Sequence, residues 1–170
     1  MDYLWTPWRS TYMKEPRDKS RCIFCAAAEG TSDEETLVVY RGQLSFVLLN
    51  RYPYTSGHLM IAPYAHVSRL SQVSEATTDE MMRLARYGEG VLEAAYKPEG
   101  LNLGMNLGEA AGAGIEQHIH MHVLPRWRGD ANFMTSVANT RIIPEALGDT
   151  YVKIKRGFAG LPIAARPAQR

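Results

Sequence analysis

Residues 118–124 read His118-Ile119-His120-Met121-His122-Val123-Leu124, and this alternation decides how the chain is built. In an extended strand successive side chains point to opposite faces. His118, His120 and His122 therefore project together, about 7 Å apart between neighbours, while Ile119, Met121 and Val123 turn toward the core. Working outward, Leu101 to Leu107 forms a strand upstream of the loop Gly108 to Gly114. Thr36–Tyr40 and Leu44–Asn50 form a hairpin around Arg41 and Gly42, and His58–Ala62 adds a strand bounded by Gly57 and Pro63. Between these groups, Met81, Leu84, Ala85, Gly88, Leu92 and Ala95 recur at helical steps. The spacing predicts a long helix from Thr77, with Thr77 and Glu80 as its capping box and Pro98 and Gly100 as its stop. Five strands joined by short connections, with one long helix and short helices, predict an α+β domain on a mainly antiparallel sheet.

The rest of the chain sets limits on function. At 170 residues it suits one domain with extensions. The boundaries fall at an N-terminal extension (1–21) packing on the domain or a partner subunit, a domain spanning 22–130, and a C-terminal extension (131–170) with one short helix near 144–147. Trp5, Pro7 and Trp8 are too costly to leave as a bare tail. Nineteen basic residues balance eighteen acidic ones, for a net charge of +1, which argues against nucleic acid or a membrane surface as partner. No apolar run is long enough for a membrane helix, and the start lacks the pattern of a secretory signal. A cytoplasmic location is expected, consistent with two cysteines spaced for metal or redox chemistry instead of a secreted disulfide framework.

Chemistry should reside where metal-capable and nucleophilic side chains concentrate. Three of five histidines lie within five residues. A row of protonated imidazoles would pay for desolvation and mutual repulsion, so the row implies either neutral rings in a hydrogen-bonded relay or metal ligands. Gly112, Ala113 and Gly114 precede it. Such small residues leave backbone amides open to a phosphate, or simply make a turn. Beside histidines the phosphate reading gains weight, because a neutral imidazole can attack phosphorus while fixed amides stabilise equatorial oxygens.

The triad, together with Leu44–Asn50, Gly57–Pro63, Asn106 and Pro125-Arg126, resembles the histidine triad (HIT) superfamily of nucleotide hydrolases and transferases. The likeness runs from Cys22 to Trp127. Asn50 where aspartate is common, and Pro-Arg after the triad, resemble its dinucleoside polyphosphate branch. The segments Leu4–Arg9 and Pro125–Trp127 resemble a microbial group of diadenosine tetraphosphate phosphorylases. The resemblance implies a HIT-like fold, a homodimer or higher homo-oligomer, and His120 as the nucleophile that becomes nucleotidylated, with water or inorganic phosphate as acceptor. It implies that His122 manages the leaving group, that Asn50 meets the ribose, and that Asn106 and the 112–114 loop meet phosphate. Many relatives carry a hydroxyl or amide in that loop where this chain has Ala113, Gly114 and Ile115, which shifts leaving-group stabilisation toward backbone amides or the C-terminal segment. Arg126 is either a phosphate contact or a surface ion pair, and Trp127 either stacks adenine, meets another subunit or anchors a strand end.

In the wider superfamily, galactose-1-phosphate uridylyltransferases resemble this chain in a further respect. Their pattern implies that Cys22, Cys25, His66 and His118 hold one structural zinc; the alternative is a reduced cysteine pair packed in the core, with His66 capping the following turn. His118 is thereby contested between relay and metal, and His58 is left as a buried structural residue. A nucleoside phosphoramidase and a noncatalytic nucleotide- or metal-binding module are the competing functions.

Overall fold

The computed structural model describes residues 22–130 and 145–161. Its elements, in chain order, are helices α1 (Ile23–Glu29) and α2 (Asp33–Thr36), strands β1 (Val38–Arg41), β2 (Ser45–Leu49) and β3 (Leu59–Pro63), helix α3 (Glu75–Tyr96), strands β4 (Gly100–Met105) and β5 (Met121–Arg126), and helix α4 (Leu147–Ala159). The strands form one five-stranded antiparallel sheet in the order β1-β2-β3-β5-β4. The expected α+β architecture is therefore present.

The sheet is covered on both faces, which is why β2 and β3 are buried at every position. On one side Val47, Leu49, Leu59, Ile61 and Val123 pack against Met81, Leu84, Val91 and Leu92 of α3 and Tyr151, Ile154 and Phe158 of α4. On the other, Val38, Phe46, Leu48, Met60 and Ala62 pack against Phe24 and Ala27 of α1. Each fully buried Val, Leu, Ile, Met or Phe among them stabilises the fold by about 1.5–3 kcal/mol relative to exposure. The crossing of α3 and α4 depends on Gly157, where a Cβ would lie 2.6 Å from a methyl group of Val91.

Several sequence expectations are corrected here. The strand with the histidines starts at Met121, so residues 118–120 approach the sheet instead of pairing in it. The long helix begins two residues before Thr77, and Ser74 caps it by accepting from Thr77 N–H at 3.2 Å. Glu80 is no capping residue: it is 7% exposed, and its carboxylate accepts from the backbone N–H groups of Gln43 (2.9 Å) and Leu44 (2.7 Å) at the β1–β2 turn. The helix expected near 144–147 starts at Leu147 and runs for 13 residues. It supplies core side chains, so this stretch belongs to the domain and does not trail it. Residues 1–21, with the expected packing of Trp5 and Trp8, lie outside the described residues.

Candidate active site

His120 is 5% exposed, and its Nδ1 lies 2.9 Å from the carbonyl oxygen of His118. A carbonyl only accepts, so Nδ1 carries the hydrogen. The neutral ring then has its lone pair on Nε2. Burial lowers the His120 pKa, opposed in part by the same backbone hydrogen bond. The ring of Phe24, itself 1% exposed, lies 4.7 Å from that of His120. Thus α1 forms one wall beside the His120 ring.

His122 can be assigned in the same way, through a partner the sequence reading left to architecture. His58 Nε2 lies 2.8 Å from His122 Nδ1. Its other nitrogen, Nδ1, accepts from the backbone N–H of Tyr54 at 3.2 Å. Asn50 Nδ2 also lies 3.3 Å from that atom, and Asn50 Oδ1 is held by Tyr52 N–H at 3.0 Å, which orients the amide with its NH2 toward His58. His58 Nδ1 is thus an acceptor, and the hydrogen sits on Nε2, donated to His122 Nδ1. His122 is left with its hydrogen on Nε2. Desolvation, followed by the neighbouring histidines, lowers His58 to about 3 and His122 to about 4. Neutral rings in a relay describe this pair, and the tautomers follow from fixed backbone groups.

His118 does not join that relay with its ring. Its Nε2 lies 2.9 Å from the Pro63 carbonyl oxygen, so Nε2–H donates and the Nδ1 lone pair is free to coordinate. Nδ1 faces Cys22 Sγ at 3.4 Å and Cys25 Sγ at 3.7 Å. Cys25 Sγ lies 3.2 Å from His66 Nδ1, and the four ligand atoms lie within 4.8 Å of one another. Ligand bonds of about 2.0–2.3 Å in a tetrahedron imply edges of roughly 3.3–3.8 Å, so these residues suit zinc. The Pro63 carbonyl would be the outer partner that fixes the His118 tautomer.

The other expected contacts divide. Asn106 follows β4 and continues the alternation of Gly104, which pairs with His122. In the loop, the amides of Ala111 and Ala113 donate to Gly108 O and that of Gly112 to Glu109 O. Two of the amides the sequence offered to phosphate, those of Gly112 and Ala113, are therefore spent inside the loop, around Gly112 in the left-handed region. Trp127 packs edge-on against Tyr96 at the end of α3, with ring centroids 6.4 Å apart. This contact anchors Trp127 at the end of β5. Arg126 donates to Asp130 (2.6 Å) and Asn102 (2.5 Å), the surface ion pair of the two readings.

A profile of the HIT domain matches residues 31–129. The chain belongs to the histidine triad family. It is 42% identical over 154 residues to a Mycobacterium tuberculosis protein named AP-4-A phosphorylase, covering 86% of this chain and 79% of that one. It is 29% identical over 93 residues to the asymmetrical bis(5'-nucleosyl)-tetraphosphatase of Schizosaccharomyces pombe, covering 55% of this chain and 50% of that protein. Among solved structures, a Zn-bound histidine triad family protein from Mycobacterium smegmatis superposes with a TM-score of 0.67 at 25% identity, covering 82% of this chain and 94% of the other.

Proposed function

We propose that this protein is a dinucleoside polyphosphate phosphorylase that transfers a nucleotidyl group through His120 to inorganic phosphate. The observation that carries the reading is the paired tautomer assignment: a lone pair on His120 Nε2 beside a hydrogen on His122 Nε2, with ring centroids 4.9 Å apart. The His120 lone pair attacks the α-phosphorus of a substrate such as diadenosine tetraphosphate. As the N–P bond forms, the P–O bond to the β-phosphate breaks and its electron pair leaves on the bridging oxygen, to which His122 Nε2–H donates a hydrogen bond. The adenylylated ring carries positive charge, which the His118 carbonyl stabilises through Nδ1–H. A phosphate oxygen then attacks the same phosphorus, the N–P bond breaks, and ADP forms beside the ATP already released. The tuberculosis relative, aligned over most of both chains, supports phosphate over water as acceptor.

In this reading Asn50 meets the ribose with what remains of its hydrogen-bonding capacity, and Asn106 meets phosphate. Cys22, Cys25, His66 and His118 hold a structural zinc in this reading. Bound there, a zinc would supply structural support, its four ligands tying α1 to the segment leading into β5. A homodimer is supported by β4, which has no second neighbour among the described residues, and by exposed Leu103 and Met82. No described helix is long and apolar enough to cross a membrane; with two cysteines that form no disulfide, we place the protein in the cytoplasm.

Incubation with diadenosine tetraphosphate tests the reading. ADP plus ATP, formed only when phosphate is present, is the expected result. AMP plus ATP without phosphate would identify a hydrolase, and an unchanged substrate would remove the enzymatic reading.

A further inference from the structure

Gly104 stands inside β4, where no packing among the described residues requires glycine. Its φ is not in the left-handed region, it is exposed, and no described atom lies within 4 Å of where its Cβ would sit. Glycine weakens a strand interior, where a branched or aromatic residue would serve the ladder better. Its register singles it out. Gly104 pairs with His122, which on its other side pairs with Met60. Paired residues share a face, so the row across the triad face runs Met60, His122 and then open space above Gly104.

The two flanks of His122 therefore differ. Toward β3, His58 is bonded to its ring, with Asn50 behind. Toward β4 no described side chain projects at this level. Two residues further along that face stands Asn102, which accepts from Arg126. With the nucleoside on the Asn50 flank and the α-phosphorus at His120, the space over Gly104 is open, among the described residues, to the rest of the substrate. In-line displacement then brings the acceptor in where the leaving group departed, because His120 holds the opposite apical position.

We propose that Gly104 is a specificity-determining residue, its missing side chain leaving the passage beside His122 through which the polyphosphate leaving group exits and the acceptor phosphate enters. The inference rests on the nucleotidyl-transfer reading above. It is tested by calorimetric binding of AMP and of diadenosine tetraphosphate in a His120→Ala background, which blocks turnover, with and without Gly104→Leu. The leucine should weaken binding of the dinucleotide at least tenfold and leave that of AMP within twofold. Gly104→Ala, which adds one methyl group and keeps the strand, should weaken the dinucleotide by a smaller factor in the same direction and serves where the leucine variant fails to fold. Equal losses for both ligands, no loss for either, or a changed oligomeric mass, which would assign the glycine to an interface between copies, would each overturn the proposal. If neither ligand binds with Gly104 intact, the nucleotidyl-transfer reading fails first and takes the inference with it.

Discussion

Replacing His58 by leucine removes two ring nitrogens from a site that is 1% exposed while keeping an apolar side chain. Tyr54 N–H loses its acceptor and His122 Nδ1 loses its donor. A buried polar group left without a partner costs about 1–3 kcal/mol, so the two together destabilise the fold by roughly 2–6 kcal/mol. The effect on rate is separate. Without the His58 hydrogen, His122 is no longer held as the Nε2–H tautomer aimed at the leaving oxygen, and a net hydrogen bond of about 1–1.5 kcal/mol corresponds to roughly a five- to tenfold slower step. His120 keeps its own anchor on His118, so KM should move less than kcat. His58→Gln is the matched control, since a glutamine amide nitrogen can reach the position of Nε2 and donate to His122. Rapid-quench single turnovers of diadenosine tetraphosphate, at a temperature where circular dichroism shows both variants folded, give the rate of nucleotidyl transfer directly. A leucine variant at the wild-type rate, or a glutamine variant no faster than leucine, would refute the tautomer argument.

Acid should destabilise the protein in a defined window. His58 is neutral in the fold, with its pKa lowered to about 3, but takes up a proton near pH 6.5 when unfolded. Its contribution is whole above 6.5 and is lost as pH falls toward 3. Between pH 6.5 and 5.5 that loss is about 1 kcal/mol, read as a fall in unfolding free energy in urea that shrinks by this amount in His58→Leu. Metal analysis should find one zinc per chain, retained in His120→Ala and lost in Cys25→Ala, with the latter melting roughly 5–10 °C lower; zinc lost with His120 instead would place the metal in the triad. Glu80→Ala removes a carboxylate from two backbone donors and should cost about 2–4 kcal/mol in urea unfolding with an unchanged KM. A loss below about 0.5 kcal/mol would mean that water replaces it.

The sheet was legible because local and tertiary demands agree there. Period-two alternation marked the histidine strand, β-prone runs bounded by Gly and Pro marked the other four to within a few residues, and the apolar spacing from Met81 to Ala95 marked α3. Misreadings arose where a local pattern has a second use. Thr77 and Glu80 have the spacing of a capping box, but Glu80 is claimed by the β1–β2 turn 36 and 37 residues away. Tyr151, Ile154 and Phe158 carry helical spacing that Gly148 and Gly157 obscured; Gly157 is present because α3 passes close by. The seven residues of α1 are too few for a period to show, although the cysteine pair within reach of His118 depends on them. His58 is the instructive case. Only the register of β3 on β5, set by pairing across the sheet, brings it to His122, and one sequence does not contain that register. The set Cys22, Cys25, His66 and His118 could be named beforehand through family resemblance, and the structure brings those four together.

The most direct test of the central claim is the intact mass of the protein after mixing with diadenosine tetraphosphate in the absence of phosphate. The account predicts a species heavier by one adenylyl group, located on His120 by fragmentation, absent from His120→Ala, and discharged to ADP when phosphate is added. A wild-type protein that turns the substrate over at full rate in phosphate while His120 never carries the group would contradict it.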